Sequence, residues 1–300
     1  MENKRIKLVI ASGKGGVGKS MLASSLAILF SRKRKIVAVD CDVDAPNLAI
    51  WLGKPENWQE IKKISVSEKP IIDNSKLNER EARDCAKKCR FNALEVKEGK
   101  LKLNPFLCEG CGACEIFCPN KAIKMQPVKN GEIKIKKIGQ ARHSFPLISG
   151  QLFPGETGSG KIVTEIKEEA KKFDYELMII DSAPGTGCPT IAALQDADFV
   201  VLVSEPTLSG FSDIKRVLKL VNHFNLPWGL VVNKWDINKS LSQKIKRWAG
   251  KKFLGKISYD KKIFEAVSRL CPIMKTDLKA KKEIEKIYEN LVKKLCLLDQ

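Results

Sequence analysis

The sequence predicts a doubly wound α/β domain on a mainly parallel sheet, with a small cysteine-rich domain inserted into it. Three observations predict this. Short apolar runs alternate with helical patterns at both ends of the chain. The rhythm breaks between residues 55 and 145, where lysines and cysteines accumulate around short β-like pieces such as Leu94-Glu-Val-Lys and Ile133-Lys-Ile-Lys. The first strand-to-helix joint is the glycine-rich run Gly-Lys-Gly-Gly-Val-Gly-Lys-Ser at residues 13 to 20. The expected division is 1–54 plus 146–300 for the α/β domain and 55–145 for the insert.

Each element follows from its residues. Lys7-Leu-Val-Ile-Ala-Ser12 reads as a short apolar strand and Lys19 to Phe30 as a helix. Glycines 13, 15, 16 and 18 between them let backbone N–H groups wrap phosphate oxygens, with the helix N-terminus adding positive potential. Lys19 neutralises phosphate charge and Ser20 is placed to ligate Mg²⁺. A second buried strand, Lys35-Ile-Val-Ala-Val-Asp-Cys-Asp42, ends in acidic residues. Beyond the insert, residues 175–181, 198–204 and 227–233 suit parallel strands covered on both faces. Helices are expected over 161–173, 210–223, 239–249 and 277–298. In the last, Ile284, Ile287, Leu291, Leu295 and Leu298 recur at helical spacing. Covering the sheet is the commoner use of such a face, and a membrane-targeting helix is the alternative.

Composition narrows the class. No apolar stretch follows the Met-Glu-Asn-Lys-Arg start, and no run approaches the ~18 apolar residues of a membrane span, so a cytosolic chain is expected. Ten cysteines in that compartment point to metal or redox chemistry rather than a disulfide framework. The formal charge is +19, of which residues 56–145 contribute +7, from 19 basic and 12 acidic residues. A lysine surplus spread in this way, without interleaved aromatics, does not suggest a nucleic-acid groove; an acidic protein partner is compatible with it.

Lys14, beside the obligatory Lys19, makes the loop resemble the deviant Walker A of the MinD, ParA, Mrp and nitrogenase iron-protein superfamily. The resemblance implies an ATPase acting as a nucleotide-sandwich homodimer, with Lys14 reaching the partner's nucleotide. It assigns nucleotide contacts to Gly13, Lys14, Gly15, Gly16, Val17, Gly18, Lys19, Ser20 and Met21, and a catalytic role to Lys14, Lys19 and Asp42. In Asp40-Cys-Asp-Val-Asp44, Asp40 matches the aspartate that meets the metal's water shell, leaving Asp44 as a loop cap. Asp181 looks like the Walker B carboxylate, so Mg²⁺ falls to Ser20, Asp40 and Asp181. The following Ser-Ala-Pro184-Gly185 resembles switch II. Asn233-Lys-Trp-Asp236 resembles a base-reading element whose asparagine meets adenine, with GTP the minority reading because of Asp236. Gly155-Glu-Thr-Gly-Ser-Gly-Lys161 repeats the G-x4-G-K spacing, but Phe-Pro precedes it and Ile162 replaces the metal-binding hydroxyl, so a re-entry loop is expected there.

Cys108-x2-Cys111-x2-Cys114-x3-Cys118-Pro119 matches the bacterial ferredoxin run, in which the fourth cysteine ligates the other cluster. Cys85-x3-Cys89 matches the end of a first run whose leading positions hold Glu79 and Ala82. Ligand exchange between runs leaves one complete set, Cys89, Cys108, Cys111 and Cys114. One 4Fe-4S cluster is expected, with Cys85 and Cys118 as spare thiols and structural zinc as the alternative. Cys188 is a further candidate thiol, at an offset from the Walker B aspartate similar to that of a cluster cysteine in the nitrogenase iron protein; Cys271 and Cys296 read as packing residues. The expected function is ATP hydrolysis in a homodimer, coupled to iron-sulfur or metal-cofactor maturation or delivery to a protein acceptor. The alternatives are an ATP-gated electron donor and a redox-sensing positioning module that binds DNA or membrane.

Overall fold

The computed structural model describes residues 5–140 and 143–296. The chain opens with β1 (Ile6–Ser12), α1 (Lys19–Phe30), β2 (Ile36–Cys41) and α2 (Leu48–Trp51). Then come β3 (Glu60–Ile64), β4 (Ser67–Ile72), α3 (Glu79–Lys88), β5 (Leu94–Lys97), β6 (Lys100–Leu103), α4 (Ala113–Phe117), β7 (Ile123–Val128) and β8 (Gly131–Ile138). The remainder alternates: β9 (Phe145–Leu152), α5 (Ser159–Lys171), β10 (Leu177–Ser182), α6 (Cys188–Leu194), β11 (Phe199–Ser204) and α7 (Leu208–His223). β12 (Trp228–Val232), α8 (Lys239–Ala249), β13 (Phe253–Lys256), α9 (Lys262–Ser268) and α10 (Lys279–Leu295) complete it.

Nine strands form one sheet in the order β13-β12-β11-β1-β10-β2-β9-β8-β3. From β13 to β9 neighbours run parallel, while β8 and β3 add on antiparallel. Side-chain alternation assigns the two faces. Ile6, Leu8 and Ile10 of β1 pack with α1 and α10, whereas Val9 and Ala11 pack with residues of α5, α7 and α8. Helix α1 is buried almost all round because α2 and α10 cover the side turned away from the sheet, so its sequence is a near-continuous apolar and small-residue run. Ile284, Ile287, Leu291 and Leu295 of α10 lie in the same core, which settles those four positions for sheet covering; Leu298 lies outside the described residues. No helix among the described residues is long and apolar enough to cross a membrane.

Two expectations need correction. The boundaries 55 and 145 do not coincide with the edge of the sheet, because β3 and β8 belong to it. β8 alternates, with Ile133 and Ile135 packing in the core over α5, so burial recruits it to the sheet, and β3, which has no buried residue, pairs onto it as the edge strand. What projects is the stretch between β3 and β8: β4 paired antiparallel with β7, the β5–β6 hairpin, and α3 and α4. Nor is the basic surplus evenly spread. Residues 239–295, which form α8 to α10 and β13, carry 17 Lys and Arg against 6 Asp and Glu. Lysines flanking the short edge strand β13 oppose edge-to-edge pairing.

The projecting unit has little core of its own, namely Ala82, Cys85, Leu94, Leu101, Cys118 and Ile123. Helix α3 starts with a capping box: Asn78 N–H donates to Glu81 Oε2 and Glu81 N–H to Asn78 Oδ1, each at 2.9 Å. Cys85 and Cys118 form a disulfide across this core, which corrects the expectation of two spare thiols. The spacing explains why they meet. Each lies four residues from a cysteine of the expected set, Cys89 at the end of α3 and Cys114 within α4, so one helical turn puts the two remaining cysteines side by side. Ala82 fills the same core, while Glu79 is exposed and paired with Arg83.

Candidate functional site

A cleft of about 750 Å³ opens at the carboxyl ends of the parallel strands, where ligands bind in open α/β sheets. Its wall includes Lys14, Gly15, Gly16, Gly18, Lys19, Ser20 and Met21 from the first loop, with Asp42 and Asp44 after β2. Pro184 and Gly187 after β10, and Asn233 after β12, complete the part expected from the sequence. Gly13, Val17, Asp40, Asp181 and Gly185 stand behind that wall rather than in it. Gly18 ends the loop at φ +90°, where a Cβ would lie 2.2 Å from the Asn233 amide nitrogen. Asn233 Nδ2 donates to Val17 O at 2.8 Å, so this side chain braces the loop besides lining the cleft.

The charged centre is buried and mutually compensated. Lys19 Nζ donates to Asp181 Oδ1 at 2.9 Å, with 6% and 0% side-chain exposure. Burial alone would lower the lysine pKa; Asp181, Asp42 and Asp40 outweigh it and raise it. Asp181 Oδ2 is buried without a hydrogen-bond partner among the described residues, an acceptor available to a cation or its water. Asp40 accepts N–H bonds from Leu48 (2.8 Å) and Asp42 (3.2 Å), and burial beside Asp181 pushes its pKa up to about 8. The same burial raises Asp42, against the pull of Lys19. Asp44, expected as a loop cap, is exposed on the cleft wall, and Asn47 takes the N-cap position of α2.

Glu205 was not anticipated. It follows β11 and accepts Lys14 Nζ at 2.6 Å on one oxygen and Lys234 Nζ at 2.9 Å on the other. Burial opposes its ionisation, but the two lysines prevail and hold its pKa below the usual range. Lys14 is therefore tied within its own chain. An acidic residue just past an apolar strand was the available signal, the same grammar as Asp40 and Asp181. Asp236 does not line the cleft; its carboxylate accepts the Tyr259 N–H at 2.7 Å and so positions the Ser258–Asp260 wall. Gly185 N–H donates to Ser12 O at 2.8 Å, linking the segment after β10 to the first loop.

The second glycine-rich run also joins a strand to a helix, contrary to expectation, because β9 precedes it. Its left-handed cap is Gly158 (φ +99°), two residues ahead of the motif glycine Gly160. Lys161 thus falls in the third position of α5, whereas Lys19 takes the first position of α1.

Cys89, Cys108, Cys111 and Cys114 line one cavity of about 170 Å³, walled also by Pro70, Leu94, Leu103, Phe117 and Met125, with Lys88 and Arg90 among its residues. Burial raises the Cys108 pKa, and burial together with Cys108 and Cys111 raises Cys114 to about 11. Among the described residues no three His, Cys, Asp or Glu converge closely enough for a single metal ion. Four cysteines lining one cavity are a donor set of the kind that would suit an iron-sulfur cluster. Cys188 is not among them. It is exposed at the start of α6 and lines a separate groove of about 680 Å³ with Glu109 and the loop 156–161. Cys41 is buried, and Cys296, expected to pack, is exposed.

The sequence matches the CobQ/CobB/MinD/ParA nucleotide binding domain over residues 8–273. An uncharacterized protein of Methanocaldococcus jannaschii is 37% identical over 288 residues, covering 95% of this chain and 96% of that one. An iron-sulfur cluster carrier protein of the same organism is 26% identical over 316 residues, covering 98% and 87%. Among solved structures, the septum site-determining protein MinD of Pyrococcus horikoshii, in complex with Mg-ADP, superposes with a TM-score of 0.60 at 16% identity, covering 98% of this chain and 99% of that one.

Proposed function

The chain belongs to the CobQ/CobB/MinD/ParA nucleotide-binding family, and from that premise we propose that it is a homodimeric ATPase coupled to one 4Fe-4S cluster, acting in iron-sulfur or metal-cofactor maturation or delivery. One observation carries the reading: four cysteines from two separate segments meet around a single cavity in a chain whose first loop is a complete phosphate cradle. Names of relatives at low identity favour delivery over electron donation.

In this reading the backbone from Gly13 to Ser20, with Lys19, holds the triphosphate, and Asn233 and the Ser258–Asp260 wall hold adenine. Asp236 is engaged with Tyr259, which favours ATP over GTP. Ser20, Asp40 and Asp181 would hold Mg²⁺, directly or through water; the unpartnered Asp181 Oδ2 is an acceptor open to an arriving cation. Asp42, at the cleft wall, orients the attacking water. Pro184 and Gly185 would sense the γ-phosphate, the Gly185 N–H being released from Ser12 O to reach it. Closing the dimer requires Lys14 to leave Glu205. Cys89, Cys108, Cys111 and Cys114 would hold the cluster, which supplies one-electron chemistry when bound.

The test is ATP turnover by anaerobically purified protein, with the cluster oxidised and then dithionite-reduced, alongside iron content. About four irons per chain and a turnover that changes on reduction are expected. Iron near eight contradicts the single cage, and unchanged turnover contradicts the coupling.

A further inference from the structure

The second glycine-rich run has a different setting in the molecule from the first. The loop from β9 to α5 crosses the base of the projecting unit and is fixed there. Thr157 O accepts Asn130 Nδ2 at 2.7 Å, Thr157 Oγ1 pairs with Ser67 Oγ at 3.1 Å, and a Cβ on Gly155 would strike the Phe106 ring at 2.4 Å. Between these anchors Glu156 accepts Lys69 Nζ on Oε1 at 2.8 Å. Its Oε2 is buried and makes no hydrogen bond among the described residues.

Lys69 is itself only 7% exposed, on β4. Its neighbours in sequence bracket the cysteine cavity. Pro70 lines it, and the Glu68 carbonyl packs so closely on Gly110, between Cys108 and Cys111, that a Cβ there would lie 2.5 Å away. A buried ammonium thus sits on the strand that packs against the cage, with one fixed carboxylate as its counter-charge. By contrast, Lys88 beside the cavity is exposed and screened by solvent.

We propose that the Lys69–Glu156 pair sets the reduction potential of the group held by the four cysteines, the lysine raising it and the glutamate lowering it. The inference rests on the reading that the cage holds a 4Fe-4S cluster. Reduction adds one negative charge to the cluster, so an uncompensated cation nearby in a low-dielectric site favours the reduced form, and an uncompensated anion disfavours it. Both residues are positioning residues that act through the field, since neither is among the residues lining the cavity.

The two partners must therefore act with opposite sign, which a merely structural role does not produce. The experiment is an EPR-monitored redox titration of the full-length anaerobic protein, with iron content and thermal unfolding midpoint recorded for each sample. Lys69→Met is expected to shift the midpoint potential down, Glu156→Gln to shift it up, and Lys69→Arg to leave it near wild type, all with wild-type iron and EPR line shape. If wild type and Glu156→Gln hold the cluster but the potentials are unmoved, or Lys69→Met and Glu156→Gln shift them the same way, the pair has no such role and the cluster reading stands. If Lys69→Met fails to fold, Glu156→Gln against Lys69→Arg decides by itself. A wild-type protein that binds no iron overturns the cluster reading and this inference together.

Discussion

Two loops of this protein share the G-x4-G-K spacing, and both join a strand of the same sheet to a helix capped by a left-handed glycine. Only one of them faces a cleft with compensated charge. At the β1–α1 joint the capping glycine is the motif glycine, so Lys19 opens the helix and points at Asp181. At the β9–α5 joint the cap comes two residues earlier, Lys161 moves round the helix, and the loop lies against the projecting unit at Gly155 and Gly158 while its other side lines the Cys188 groove. The spacing of a motif is therefore not its geometry. What matters is the register between the residue that leaves the loop and the side chain that must act.

The largest effect that tests this comparison is Lys19→Ala. It removes the partner of a fully buried carboxylate, so the expected loss is about 3–5 kcal/mol of stability, together with the thermal protection by Mg-ATP expected of wild type. Equal protection of the variant by Mg-ATP would break the assignment. Next is Asn130→Ala. Asn130 is fully buried and serves Val66 N–H and Thr157 O, so about 2–3 kcal/mol is expected from two orphaned groups. ATP affinity measured by calorimetry should stay within about twofold, because this loop serves the insert and not the cleft.

The glycine caps sharpen the contrast. Gly18→Ala and Gly158→Ala both place a side chain in left-handed backbone, costing about 1–2 kcal/mol each. Gly18→Ala also displaces Asn233 from Val17 O, whereas Gly158→Ala meets Asn130 Nδ2 at a more tolerable 3.3 Å. Denaturant unfolding should show both losses, and only Gly18→Ala should weaken ATP binding. Smallest is Lys161→Ala, expected to change stability by no more than about 0.5 kcal/mol and ATP affinity not at all. A clear loss of affinity there would mean that the second loop binds nucleotide.

The projecting unit teaches a related lesson about size. The sheet carries two extensive cores, one on each face, and its charged centre is held by rigid strand ends. The insert's own core cluster holds six buried residues, two of them the cysteines of its disulfide. So small a core calls for a covalent or metal staple. The cysteine pattern made the cage legible in advance, yet the pairing of Cys85 with Cys118 was missed because it depends on helix phase rather than on the spacing rule for ligands. Glu205 was missed for a similar reason, since its two lysines come from residues 14 and 234.

By itself the sequence determined the parallel α/β architecture, the first loop, the acidic strand ends and the four-cysteine set. Each of these is written in local periodicity or in a short motif whose geometry a few consecutive residues dictate. Tertiary structure decided the rest: that β3 and β8 extend the sheet, that Lys14 rests on Glu205, that Asp236 turns to Tyr259, and that the second glycine loop braces the insert through Glu156 and Lys69. These contacts join residues about 20 to 190 positions apart, and their partners are selected by burial and charge compensation once the chain has folded, which no local pattern encodes.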